Sequence, residues 1–258
     1  MDKIYIGTNW KMTKTLEEGL AYCYSLVNYS SKVHPKIDLF VIPSFTSLYA
    51  LGKELSNQNI RIGAQNMHWL DAGPYTGEIS PRMLAELKID LVELGHSERR
   101  QYYNENDLDL SQKVFAALMY DLTPLLCVGE NREEKLNERQ YKTIKRQLNI
   151  GLSKVPEKSA GKVQIAYEPV WAIGENGIEA ETEYVESMHL FIRQILVDMF
   201  GETGQSIPIL FGGSVNEGNY LKYLSAQEVN GLFIGRSAWN MDSFSEILFG
   251  ITQWIDAQ

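Results

Sequence analysis

Short runs of β-branched and apolar residues alternate along this chain with longer segments whose apolar positions recur every three to four residues. The short runs read as strands at residues 3–9 (KIYIGTN), 37–42, 60–65, 89–94, 123–128, 163–167, 207–211 and 231–234. Several are apolar almost throughout, as strands covered on both faces are. The longer segments read as amphipathic helices at 16–29, 44–56, 81–87, 108–120, 132–152, 182–200, 216–224 and 243–254. Ser80-Pro81 marks one helix start, a cap residue followed by proline at the first helical position. Glu133, Glu134, Lys135, Glu138, Arg139 and Lys142 fall on one polar face, which reads as solvated surface.

Unbroken β-then-α alternation favours parallel strands joined by right-handed crossovers. Eight such units predict a closed (β/α)8 barrel, a TIM barrel, in one α/β domain over residues 1–258. An open doubly wound sheet is the alternative, and no G-x-G-x-x-G opens the first unit to support it. A net charge of −9 argues against a nucleic-acid or polybasic membrane partner. The two cysteines, Cys23 and Cys127, stand in no metal spacing and read as reduced thiols. No apolar run reaches membrane-span length, and no signal-peptide pattern is visible, so the expectation is a soluble, cytoplasmic protein.

In such barrels chemistry gathers where the strands end. Asn9 and Lys11 follow the first strand, His96, Ser97 and Glu98 the fourth, and Glu168 the sixth. Gly212, Gly213 and Ser214 follow the seventh, and Gly235 and Arg236 the eighth. The glycine-bearing loops expose backbone N–H groups that can converge on an anion, helped by a helix N-terminus; alone, each could be only a tight turn. Lys11 suits a phosphate, a developing oxyanion or a Schiff base, and otherwise reads as surface. His96 opens a short helical turn, which favours neutral imidazole; its other reading is a structural cap. Glu168 precedes the stretch "PVWAIGENG", stiffened by Pro169 and hinged at Gly174 and Gly177. A carboxylate beside a closing lid suits proton abstraction next to a carbonyl, because desolvation raises its basicity and closure protects an enediolate. Glu98, flanked by Arg99 and Arg100, reads as their ion-pair partner, and His34, His68 and His189 read as structural.

Through "NWKM" (9–12), "GHSERR" (95–100), "CVGE" (127–130), "YEPVWAIG" (167–174) and "GGSV" (212–215), the whole chain resembles the triosephosphate isomerase family. The pairing of a Glu base with a neutral His is that family's known arrangement. The resemblance implies a cofactor-free, metal-free aldose–ketose isomerase, with Glu168 as base and His96 polarising the carbonyl. Asn9 and Lys11 would hold the oxygen end, and Gly174, Gly213, Ser214, Gly235 and Arg236 the phosphate. The lid would run through Pro169, Val170, Trp171, Ala172, Ile173, Gly174, Glu175, Asn176 and Gly177. It also implies a homodimer, in which a loop matching residues 66–80, with Thr76 near its tip, enters the neighbouring subunit.

The chain departs from the family pattern in specific places. The loop after the eighth strand reads Gly235-Arg236 where the family has Gly-Gly, and the lid is a residue longer with Glu175 in it. Phe211 stands where the family has a tyrosine whose hydroxyl latches the closed lid, and "NMHW" follows the third strand. Such features resemble isomerases of four-carbon ketose phosphates used in erythritol breakdown. The expectation is triosephosphate isomerase in glycolysis and gluconeogenesis, with the four-carbon isomerase as alternative. A non-catalytic sugar-phosphate sensor and a Schiff-base aldolase using Lys11 are the rivals from other classes.

Overall fold

The computed structural model describes residues 3–174 and 177–258. Eight parallel strands close on themselves in sequence order: β1 (Ile4–Asn9), β2 (Ile37–Ile42), β3 (Ile60–Ala64), β4 (Leu91–Leu94), β5 (Thr123–Val128), β6 (Gln164–Tyr167), β7 (Ile209–Phe211) and β8 (Gly231–Ile234). The ring closes where Tyr5 to Thr8 of β1 pair with Gly231 to Ile234 of β8. The (β/α)8 barrel expected from the alternation is therefore the fold.

The strand alternation separates two apolar layers. Phe40, Ile42, Leu91, Leu125, Cys127, Ala166, Leu210 and Phe233 form one buried cluster. Their immediate neighbours along the strands, including Leu39, Val41, Val92, Leu126, Ile165, Ile209 and Leu232, belong to a second, larger cluster shared with the helices. Because successive side chains in a strand point to opposite faces, the first cluster fills the barrel and the second lies between barrel and helices. Asn9, Glu93 and Cys127 stand at inward-facing registers near the strand ends.

The outer layer comprises α1 (Leu16–Ser30), α2 (Phe45–Leu55), α3 (Pro81–Glu86), α4 (Ser97–Tyr102), α5 (Asp107–Met119), α6 (Arg132–Leu136), α7 (Gln140–Gly151), α8 (Thr182–Phe200), α9 (Glu202–Ser206), α10 (Tyr220–Leu224) and α11 (Met241–Asp256). Ser80 caps α3 through the Met83 N–H, with Pro81 in the first turn as expected. The expected helix at 132–152 is two helices. Glu138 takes φ +55, a left-handed conformation that ends α6, and α7 restarts at Gln140. The expected helix at 216–224 shortens to α10, because Asn216 and Asn219 side chains bind the loop backbone at the Gly218 and Asn216 N–H groups. The 132–142 face is not uniformly solvated either: Lys135 Nζ sits 3.3 Å from the Trp171 ring centroid. No helix among the described residues is long and apolar enough to cross a membrane.

Candidate active site

The four polar side chains picked from separate strand ends do meet. Asn9 ends β1, and its side chain is held on both sides. Its Oδ1 accepts from the Lys11 N–H at 2.6 Å and from Gln65 Nε2 at 3.2 Å, while its Nδ2 donates to Glu93 Oε2 at 2.7 Å. Gln65 also donates to the Lys11 carbonyl at 2.7 Å. These bonds hold Lys11 at φ +54, a costly conformation for a side-chain-bearing residue and one that tends to persist at functional sites. Lys11 Nζ then donates to Glu98 Oε1 at 2.7 Å. The expectation that Glu98 pairs with Arg99 and Arg100 is thus corrected. Arg99 turns to Glu105 and Arg100 to Asp107, leaving Glu98 free to take the lysine.

His96 is the N-cap of α4, and its Nδ1 accepts from the Glu98 N–H at 3.2 Å. An accepting Nδ1 puts the proton of the neutral ring on Nε2. Burial lowers the pKa of His96, with Glu168 opposing that shift, so the ring is held toward the neutral form. Nε2 lies 3.9 Å from Glu168 Oε2. Glu168 is buried, and its Oε2 has no hydrogen-bond partner among the described residues. A basic oxygen and an N–H donor thus face the same small space, lined also by Asn9, Lys11, Ile173, Gly212 and Phe233. Gly212 leaves room for the base: a Cβ there would come within 2.8 Å of Glu168 Cγ.

Next to this space opens a cavity of about 490 Å³. Gly174, Gly213, Ser214, Gly235 and Arg236 all line it, together with Lys11. The two glycine-bearing loops therefore converge as the sequence suggested. A wider cavity of about 670 Å³ is lined by Asp38, Arg61 and Asp90, away from these groups.

The stretch after Glu168 is tied down at several points. Trp171 Nε1 donates to Glu130 Oε1 at 2.6 Å, and the same carboxylate accepts from the Tyr184 and Tyr167 hydroxyls. Ser214 Oγ donates to the Ala172 carbonyl at 2.5 Å, and Tyr223 donates to the Ala180 carbonyl at 2.7 Å. Arg236 reaches across from beyond β8 and donates to the Gly174 carbonyl at 2.9 Å. Gly174 itself sits at φ +86, which favours glycine. Phe211 is buried against Tyr223, with ring centroids 4.5 Å apart, and offers the loop no hydroxyl. Of the residues expected to form a lid, Pro169, Val170, Trp171, Ala172, Ile173, Gly174 and Gly177 are among the described residues, whereas Glu175 and Asn176 lie outside them.

Thr76 stands apart from the other site residues, exposed on the 66–80 loop. His68 braces that loop by stacking near Trp69 and Tyr75, at centroid distances of 4.1 and 4.3 Å. His189 is buried beside Tyr167 and Phe211, as a structural histidine would be. Glu93, Gln65, Glu130 and Tyr184 were not singled out from the sequence. Only Glu93 carried a signal, an acid in an otherwise apolar strand (IDLVEL) at an inward register.

Glu93, His96 and Glu168 each present an atom within 4.8 Å of the others, a spacing that a metal ion could use. Both Glu93 oxygens are already engaged, Oε2 by Asn9 and Oε1 by Cys127 Sγ at 3.7 Å.

A closed parallel barrel that sets a carboxylate against a neutral imidazole, beside anion-ready loops, defines a class of sugar-phosphate isomerases. Comparison with known proteins agrees. A family model described as triosephosphate isomerase matches residues 4–250. L-erythrulose-1-phosphate isomerase of Rhizobium etli is 42% identical over 254 residues, covering 98% of this chain and 94% of that protein. The proteins of that name from Brucella suis biovar 1 and Rhizobium meliloti are 42% and 41% identical, each match covering at least 95% of both chains. The chain belongs to the triosephosphate isomerase family.

Proposed function

We propose that this protein interconverts L-erythrulose 1-phosphate and D-erythrulose 4-phosphate. The observation that carries the isomerase chemistry is the buried Oε2 of Glu168, which has no partner among the described residues and faces His96 Nε2 at 3.9 Å. The four-carbon substrate is supported by the relatives, which bear the name of that activity and align over nearly the whole chain.

The carbon that loses a proton carries a hydroxyl and neighbours the carbonyl. Glu168 removes that proton while His96 Nε2–H donates to the carbonyl oxygen, giving an enediolate. His96 then moves a proton between the two oxygens, and Glu168 returns its proton to the former carbonyl carbon. The carbonyl has shifted by one carbon with no net change in electrons, so the chemistry asks for no cofactor and no metal. Neutral imidazole suits both of its tasks, because it can donate and be restored within one cycle.

Lys11 and Asn9 hold the oxygen end, where the ammonium offsets developing negative charge. The phosphate occupies the cavity of about 490 Å³ beside the Glu168–His96 space, against the backbone of Gly213, Gly235 and Gly174, with Ser214 and Arg236 beside it. Residues 169–174 close over it. In this reading Arg236 also serves as a latch from the eighth strand, in place of the hydroxyl that Phe211 lacks. The whole chain, 1–258, works as one domain in the cytoplasm. It pairs with a second copy through the 66–80 loop around Thr76. The exposure of Met12 (96%), beside Lys11, and of Tyr75, Met83, Tyr102 and Tyr103 supports such pairing.

Isomerisation of dihydroxyacetone phosphate, and with it a glycolytic role, is the second reading, supported by the family model's description. The two substrates differ by one hydroxymethyl group. Steady-state turnover on both, with one preparation, separates them. The proposal expects kcat/KM at least about tenfold higher for L-erythrulose 1-phosphate. A preference of that size for dihydroxyacetone phosphate overturns it.

A further inference from the structure

Glu93 is fully buried at an inward register of β4, two residues after Leu91 of the apolar cluster that fills the barrel. A buried carboxyl is costly unless its oxygens are bonded or it gives up its charge. Both oxygens have partners, and those partners belong to the site. Asn9 Nδ2 donates to Oε2 at 2.7 Å, and the Cys127 thiol meets Oε1 at 3.7 Å. Through Asn9 the contact reaches Lys11, whose N–H bonds the same side-chain amide at 2.6 Å. On the other side, an oxygen of Glu168 and a ring nitrogen of His96 lie within 4.8 Å of Glu93.

We propose that Glu93 is a positioning residue for the isomerisation: a buried, neutral carboxyl that fixes the Asn9 amide, and through it the Lys11 backbone, without placing a second negative charge beside the catalytic base. The proposal rests on the isomerase reading of the site.

The groups that face Glu93 agree with a neutral acid. Asn9 and Lys11 come from β1, Cys127 from β5, Glu168 from the end of β6 and His96 from the end of β4. Among the described residues the cation that acts on Glu93 is Lys11, and its ammonium is committed to Glu98 at 2.7 Å. Burial, and then the charge of Glu168, push the Glu93 pKa well above the ordinary carboxylate value. The Cys127 thiol is held protonated for the same first reason, burial. Were Glu93 ionised, two buried carboxylates would stand with oxygens within 4.8 Å of each other. Neutral, it still accepts from Asn9 and leaves Glu168 as the only base.

A structural filler and a positioning acid give different results in two variants. Glu93→Gln keeps an acceptor for Asn9 Nδ2 but can never ionise. Glu93→Leu keeps the approximate volume and neither bond. With L-erythrulose 1-phosphate, Glu93→Gln is expected to hold kcat within about threefold of wild type. Glu93→Leu is expected to lose kcat on the order of 10²-fold with little change in KM, because a displaced Asn9 and Lys11 no longer meet the reacting oxygen.

The pH dependence adds a readout that packing alone would not move. A carboxyl whose folded pKa is raised gives stability that is present at low pH and lost as pH rises above its unfolded value. Glu93→Gln lacks that loss, so its melting temperature relative to wild type rises between pH 5 and pH 9, and its activity holds further into alkali.

Wild-type kcat in Glu93→Leu overturns the proposal, as do superimposable activity and melting profiles for Glu93→Gln and wild type across pH. If Glu93→Leu does not fold, the Glu93→Gln profiles alone decide. A wild-type protein inactive on both sugar phosphates removes the isomerase reading itself, which an active wild type with indifferent Glu93 variants does not.

Discussion

Gly212→Ala tests the base assignment without touching the base. The backbone of Gly212 lies outside the left-handed region, so alanine meets no conformational barrier. Its new Cβ would fall 2.8 Å from Glu168 Cγ and 3.0 Å from Oε1. Carbon atoms pack at roughly 3.5–4.0 Å, so Glu168 must give way by on the order of 1 Å. The backbone of Glu168 cannot retreat. Its N–H is bonded to the Val128 carbonyl at 2.8 Å, and Gly129 packs so close that a Cβ there would meet the Glu168 carbonyl at 1.9 Å. The displacement therefore falls on the carboxylate. Misplacing a reacting group by about 1 Å costs roughly 10²-fold, or about 2.7 kcal/mol of barrier. The overpacking itself costs about 1–3 kcal/mol of stability. The assay is steady-state kcat and KM on L-erythrulose 1-phosphate, with a melting curve alongside. A kcat reduced by one to two decades at nearly constant KM is the expected outcome. A kcat within about twofold of wild type, in a protein whose melting point has fallen, would refute the reasoning, since the base would then have moved without consequence.

Other perturbations separate the roles further. Glu168→Asp draws the carboxylate back by one methylene and should lower kcat by about 10²-fold; near-normal turnover would count against Glu168 as base. Arg236→Met removes the bond to the Gly174 carbonyl and a cation from the phosphate cavity, so KM should rise about tenfold with a smaller change in kcat, and an unchanged KM would exclude both tasks. Trp171→Phe deletes the donor to buried Glu130 and should cost about 1.5–3 kcal/mol in a denaturant titration; a loss under about 0.5 kcal/mol would show that the bond contributes little. Burial drives the pKa of His189 down to about 4, so its folded form gives stability above the unfolded pKa that is lost as pH falls toward 4. His189→Gln should therefore show a smaller melting-point decrease between pH 7 and pH 4 than wild type, and an equal decrease would contradict the shift.

The barrel was legible because parallel strands covered on both faces leave short apolar runs, and turn residues separate them from the helices. Helix interruptions were less so: nothing periodic announces that Glu138 turns left-handed or that Asn216 prefers its own loop backbone. In the site, Asn9, Lys11, His96 and Glu168 could be found because each stands at or just past a strand end, where a polar residue is conspicuous. Their partnerships could not. Lys11 and Glu98 are distant in sequence, and local charge favoured Arg99 and Arg100 as partners for Glu98; only the closed ring lets the loops after β1 and β4 meet across the barrel mouth. Glu130 and Tyr184 escaped notice for a related reason, since a carboxylate satisfied by aromatic donors looks like surface until the lid base folds onto it. Phe211 and Arg236 were visible as departures; that Arg236 bonds the Gly174 carbonyl could be read only from the structure.

The central claim is proton transfer through an enediolate between Glu168 and His96, and running the isomerisation of L-erythrulose 1-phosphate in deuterium oxide under proton NMR tests it most directly. The account predicts product carrying solvent deuterium at the carbon that was the carbonyl, and no such label with Glu168→Gln. Product formed at the wild-type rate with hydrogen retained throughout, or undiminished labelling by Glu168→Gln, would contradict it.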